Sequence, residues 1–155
     1  MTLALLLALA CPPTALTAGH VTPAITKSVV AANASTTQPT LLDILEAIRV
    51  VEEDRARAVS ATAPIGAFGL DRARWRDAGL KGKFEDCRDP RYARCVVVAY
   101  WQRRCPEALA RRDAEVLARI HAGGPNGAVD PSTRAYWNDV KRALDARSVE
   151  DAKTP

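Results

Sequence analysis

The chemistry open to this chain is narrow. Its histidines are His20 and His121 alone, too few for a metal site built on clustered imidazoles, and no metal or cofactor is expected. No glycine-rich loop leads into Lys and Ser or Thr to cradle a phosphate, and no Gly-x-Ser-x-Gly elbow presents a serine. A Cys–His nucleophile pair using His121 is formally available, set against a disulfide and a structural histidine. That leaves carboxylates, and one of them is oddly placed. Residues 41–59, read as a helix at about 100° per residue, put Leu41, Leu45, Ile48 and Glu52 within roughly 60° of one another. Ile44 and Val51 flank the same stripe, while Glu53 turns about 100° away toward the polar side. Glu52 therefore continues an apolar face, where burying a charge is costly. A carboxyl kept protonated by such surroundings can donate a proton to a leaving oxygen, as glycoside cleavage requires. The competing reading is a Glu that pairs with Arg49 or Arg55 or reaches solvent.

The elements that must position Glu52 follow from caps and breakers. Thr40, with Asp43 three residues on, reads as the start of the first helix. After Arg57 the pattern breaks into a Gly- and Ala-rich connection through residue 70, which could close as a small hairpin. Asp71 caps a helix to Ala78 that Gly79 stops. Residues 81–83 form a loop, and Asp89-Pro90 opens a further helix that Pro106 bars from continuing. The spacing predicts one helix over 106–122, ended by Gly123-Gly124-Pro125, and a last one from Asp130-Pro131 through Leu144. The expected architecture is a mostly α (α+β) domain of about five helices with a minimal β-hairpin region.

A chain of 155 residues, 48% hydrophobic and 26% charged, suits one modest globular core with some excess. The excess lies at the N-terminus. Residues 2–17 carry no charge and 3–10 are continuously apolar, too short to span a bilayer, so 1–18 reads as a signal peptide lacking the usual basic start. Cleavage after Ala10 or Ala18 fits, and Cys11 gives a loose lipoprotein match. Residues 19–40, rich in Ala, Ser, Thr and Pro, read as a linker containing the sequon Asn33-Ala34-Ser35. Residues 41–147 form the domain and 148–155 a disordered tail. Export to a secreted or periplasmic location favours one disulfide among Cys87, Cys95 and Cys105. Cys95 and Cys105 sit about 15 Å apart along one helix, too far to bridge each other, so Cys87 is the partner of either. The net charge of +4 fits an anionic surface polymer. With 5% aromatics and no alternating basic and aromatic stripe, nucleic acid is not expected.

Three stretches, in order, carry a resemblance. Gly66-Ala67-Phe68-Gly69-Leu70, continuing through Arg74-Trp75-Arg76-Asp77-Ala78-Gly79, resembles the Gly-Pro-Tyr/Phe-Gln-Ile and Tyr-Trp-x-Asp-Ala/Cys-Gly segment of invertebrate-type lysozymes and their bacterial, transglycosylase-like relatives. Phe84-Glu85-Asp86-Cys87, Asp89-Pro90 and Tyr92-Ala93-Arg94-Cys95-Val96 are similar to the next segment. Ala118-Arg119-Ile120-His121-Ala122-Gly123-Gly124-Pro125-Asn126-Gly127, then Tyr136-Trp137 and Val140, resemble its Ala-Arg-Ile-His-Asn-Gly-Gly-Pro-x-Gly and Tyr-Trp-x-x-Val signature. The order and spacing match from residue 44 to residue 144.

The resemblance implies a lysozyme-like fold whose catalytic Glu ends the first long helix beside a small β region. It places Glu52 in that position, the residue helical phase had already separated from Glu53. It implies substrate contacts at Phe68, Gly69, His121, Ala122, Gly123 and Tyr136, and peptidoglycan or a related amino-sugar polymer as the partner of a monomer. Trp75 and Trp137 are expected in the core, with Tyr136 left open. His121 reads as a residue that orients a turn, beside a role in the isopeptidase activity some family members show. The chain departs from the pattern at Glu53 (family Ser), Gly69 (Gln) and Ala122 (Asn). No acid matches the second carboxylate, since Asp54 comes too soon and 60–65 holds none. A single-acid scheme of hydrolysis or lytic transglycosylation needs only Glu52; the alternative is a catalytically impaired wall-glycan-binding protein of the same fold.

Overall fold

The computed structural model describes residues 38–58 and 64–153. The expected signal peptide, Cys11, His20 and the sequon lie outside the described residues. So does all of the expected linker except 38–40. Among the described residues the chain forms α1 (Leu41–Ala58), α2 (Arg72–Ala78), α3 (Pro90–Arg104), α4 (Pro106–Arg111), α5 (Ala114–Gly123) and α6 (Arg134–Asp151). Short 3-10 turns at Phe84–Arg88, Gly124–Asn126 and Pro131–Thr133 link them. The β structure reduces to one antiparallel bridge between Ile65 and Leu70, closed by backbone bonds of 2.9 and 3.0 Å. The protein is mostly α, as the sequence pattern implies.

Polar side chains start most of these helices by satisfying amide groups that the first turn leaves without partners. Thr40 and Asp43 form the reciprocal box, with the Thr40 amide donating to Asp43 at 2.9 Å and the Asp43 amide to Thr40 Oγ1 at 3.2 Å. Asp71 accepts from the Arg74 amide at 2.7 Å, and Asp89 accepts from the Arg91 amide at 2.7 Å. Gly79, in the left-handed region at φ 64°, stops α2. The apolar stripe of α1 packs against α6 and α5, while α3 packs against α2, α4 and α5. Ile44, Ile48, Val96, Trp101, Leu117 and Val140 are fully buried where these layers meet. Trp75 and Trp137 only flank this core, half-buried; Trp101 is the fully enclosed indole. No helix among the described residues is long and apolar enough to cross a membrane.

Three expectations need correction. Residues 106–122 are two helices, because Arg112 turns left-handed (φ 52°) and Asp113 caps a new start at the Val116 amide, 3.1 Å away. No Gly or Pro marks that break. The last helix begins as a 3-10 turn and runs past Leu144 to Asp151, so 148–151 is helix rather than tail. An ion pair of 3.4 Å between Arg147 and Asp43 ties its far end to the start of α1. The expected disulfide is absent: Cys87, Cys95 and Cys105 are all free thiols. Cys95 faces solvent on α3, while Cys87 and Cys105 are buried.

Candidate active site

Glu52 lies one helical step beyond the buried Val51, and its side chain is only 14% exposed. The turn 66–69 lies directly against it. Gly69 adopts φ +55°, which disfavours any side chain, and a Cβ at that position would collide with Glu52 Oε2. Against the family pattern, Gly69 stands where a Gln is expected. The structure gives it a positive role, because the carboxyl occupies the space a side chain would fill.

His121, in the last turn of α5, is 1% exposed and sits 3.7 Å from Glu52 Oε1. Its Nε2 is 3.0 Å from the Phe68 carbonyl, an acceptor, so Nε2 carries the proton and donates it there. Nδ1 is then a buried acceptor without a partner. Burial, aided by the positive charge of Arg74, pushes the imidazole pKa down to about 3. The separation from Glu52 is within ion-pair reach, yet a neutral imidazole makes it a polar contact only. His121 does orient a turn, but it is the one carrying Phe68 and Gly69 rather than its own Gly123-Gly124.

Tyr136 of α6, 2% exposed, lies against the His121 ring with centroids 6.2 Å apart and planes 28° off parallel. The Arg55 guanidinium sits 4.7 Å over the Tyr136 ring. The buried Tyr136 hydroxyl makes no fully formed hydrogen bond, and the acceptor it interacts with is the Glu52 carboxyl. Burial holds that phenol well above its ordinary range, with the Glu52 charge adding to the effect. Burial likewise raises the Glu52 carboxyl, opposed by Tyr136 and by the charges of Arg55 and Arg74. A carboxyl whose pKa is raised by burial beside a turn is suited to proton donation.

Arg74 escapes the sequence reading, and Arg55 enters it only as a possible ion-pair partner of Glu52. Arg74 stands where the family pattern has Tyr, and that departure was the available signal. Its Nη2 donates to the Ala122 carbonyl at 2.9 Å and its Nη1 pairs with Asp71 at 3.2 Å, which joins α2 to the end of α5. Arg55 follows Glu52 by one helical turn. Among the described residues, no carboxylate is one of the groups that shift Glu52. Glu53 is paired with Arg49, and Asp54 with Arg57 at 2.7 Å. Of the expected substrate contacts, Phe68, His121 and Tyr136 are buried beneath the site. Gly69 and Ala122 are half-buried and Gly123 is exposed, so these offer mainly backbone. A surface hollow of about 500 Å³ between α1 and α6 is lined by Val51, Arg55 and Asp139 among others and does not include Glu52. No group of three or more potential metal ligands occurs among the described residues.

No family model matches the chain. A lysozyme from the clam Meretrix lusoria is 31% identical over 87 residues, spanning 55% of this chain and 71% of that protein. The chain belongs to the invertebrate-type lysozyme family. Lysozymes from the oysters Ostrea edulis and Magallana gigas are 37% identical over 79 residues and 38% over 77. This invertebrate-type lysozyme homologue spans 57% and 56% of those two proteins. Where the family pattern has Gln and Tyr, this chain has Gly69 and Arg74.

Proposed function

We propose that this chain cleaves the glycan of peptidoglycan, or a related amino-sugar polymer, with Glu52 as general acid. The observation that carries the reading is the buried Glu52 carboxyl at the end of the α1 stripe, raised by desolvation and lying against the 66–69 turn. The lysozyme names of its bivalve relatives support the substrate class. Protonated Glu52 donates to the bridging oxygen as the C1–O bond breaks and its electron pair goes to that oxygen. With no second carboxylate, the cation at C1 is met by a group of the sugar itself. In lytic transglycosylation the 6-hydroxyl attacks C1 and returns its proton to Glu52, leaving an anhydro sugar; in hydrolysis water takes that place. The positive net charge assists adsorption to anionic walls outside the cell, an attraction that salt weakens.

The test is clearance of bacterial cell walls by wild type and Glu52→Gln. Loss of clearance by at least about 100-fold in a folded variant is expected from removing a general acid. Equal clearance would remove Glu52 from the mechanism. Mass spectrometry of the released fragments separates anhydro from hydrated products. A second reading, wall binding without turnover, is favoured by the missing second acid; sedimentation with walls and no soluble fragments would establish it.

A further inference from the structure

The Tyr136 hydroxyl is a buried donor without a formed hydrogen bond. Its ring is fixed by His121, stacked at 6.2 Å, and by the Arg55 guanidinium at 4.7 Å. Neither neighbour satisfies the hydroxyl, which is shut off from solvent without a formed hydrogen bond. Leaving a buried hydroxyl unpaired is costly, so such a group is retained where a partner acquires strength in another state. Glu52 is that partner: its Oε1 lies 3.7 Å from the His121 ring on which Tyr136 stacks, the Arg55 over the Tyr136 ring follows it by one helical turn, and a carboxylate is a far stronger acceptor than a carboxylic acid.

We propose that Tyr136 is the positioning residue of Glu52: its hydroxyl donates to the carboxylate that forms as Glu52 gives up its proton. This rests on the general-acid reading of Glu52 and deepens it. The proton stays on the phenol throughout; only the hydrogen bond strengthens. Among the described residues, the charged or titratable groups that shift Glu52 are then accounted for. Arg55 on α1 and Arg74 on α2 favour the anion by charge, Tyr136 on α6 favours it by hydrogen bonding, and burial opposes all three. His121 on α5, neutral and already donating from Nε2 to Phe68, supplies no proton to Glu52. The buried Nδ1 of His121 is the rival acceptor for the phenol, and the experiment must separate the two.

The full chain is labelled with glutamate carrying ¹³C at its carboxyl, and the Glu52 signal is assigned by its loss in Glu52→Gln. In Tyr136→Phe the Glu52 midpoint is expected to rise by roughly one pH unit, a tenfold change in its ionisation constant. The acid form then persists to higher pH, so the basic limb of kcat/KM on cell walls moves upward by the same amount. A Glu52 midpoint that stays put in a folded Tyr136→Phe protein overturns the proposal, and so does a shift confined to the His121 signals. Should Tyr136→Phe fail to fold, 3,5-difluorotyrosine at 136 keeps the ring and makes a stronger donor. The midpoint then falls if the proposal holds and stays fixed if it does not. A shifted midpoint in proteins that release no wall fragments supports the pairing while rejecting the glycan-cleaving reading.

Discussion

Gly69 shows how a single missing atom shapes the site. Its φ of +55° costs an L-residue about 1–2 kcal/mol, and a Cβ there would also strike Glu52 Oε2. Gly69→Ala is expected to destabilise the fold by about 2–3 kcal/mol, to displace the carboxyl and to lower activity. Truncating Glu52 to Ala removes the collision but leaves the backbone strain. Urea denaturation of the two single variants and the double variant should therefore show less than additive loss, with a coupling of about 0.5–1 kcal/mol. Full additivity would mean that the carboxyl does not rest on Gly69. The glycine is legible in the chain as a departure from the family's Gln, but its consequence is not, because the closeness of α1 to the turn is a tertiary fact.

At the scale of elements, the Ala118-to-Gly127 segment acts as a clasp. Arg119, with a side chain only 10% exposed, donates from Nε to Thr133 at 3.0 Å and from Nη2 to the Asp130 carbonyl at 3.1 Å. The Thr133 hydroxyl donates in turn to the Gly127 carbonyl at 2.7 Å. Gly127 admits no Cβ, since one would collide with the Arg119 carbonyl. Together Arg119, Gly127 and Thr133 fold the chain back so that α6 can bring Tyr136 over His121. The break before α5 depends on Asp113. Asp113→Ala is expected to cost about 1 kcal/mol and to fray the first turn of α5. Thermal denaturation reads the loss, and hydrogen exchange at Val116 locates it. His121 lies in the last turn of the same helix, so wall clearance should change little.

For the whole molecule, the buried site is a pH liability. The His121 imidazole binds its proton near 6.5 when exposed but only at about 3 in the fold. Between those values the unfolded chain takes up a proton that the native state refuses, so stability conferred above 6.5 is lost as pH falls toward 3. One such group contributes a slope of up to ~1.4 kcal/mol per pH unit. Urea unfolding at pH 7 and pH 4 should show this loss, and His121→Gln, which does not titrate, should show a shallower dependence. An equal slope in the two proteins would mean that the imidazole is charged in the fold. Glu52 shifts the opposite way: its raised carboxyl stabilises the fold below its ordinary range and gives that up as pH climbs through its folded value.

Helical phase, capping aspartates and Gly79 made most of α1, α2 and α3 readable, because these signals act within one or two turns of chain. The same local rules singled out Glu52 as an acid on an apolar face, and ordered motifs placed it in a family. They failed at Arg112, where a left-handed arginine breaks a helix without Gly or Pro, and at α6, where a contact with Asp43 continues the helix past Leu144. The composition of the site was decided by folding. Arg74, His121 and Tyr136 come from three other helices, and their closeness to Glu52 has no counterpart in sequence spacing. Whether a carboxyl is an acid or a surface charge depends on how much water and which dipoles surround it. Only the packing of those helices determines that.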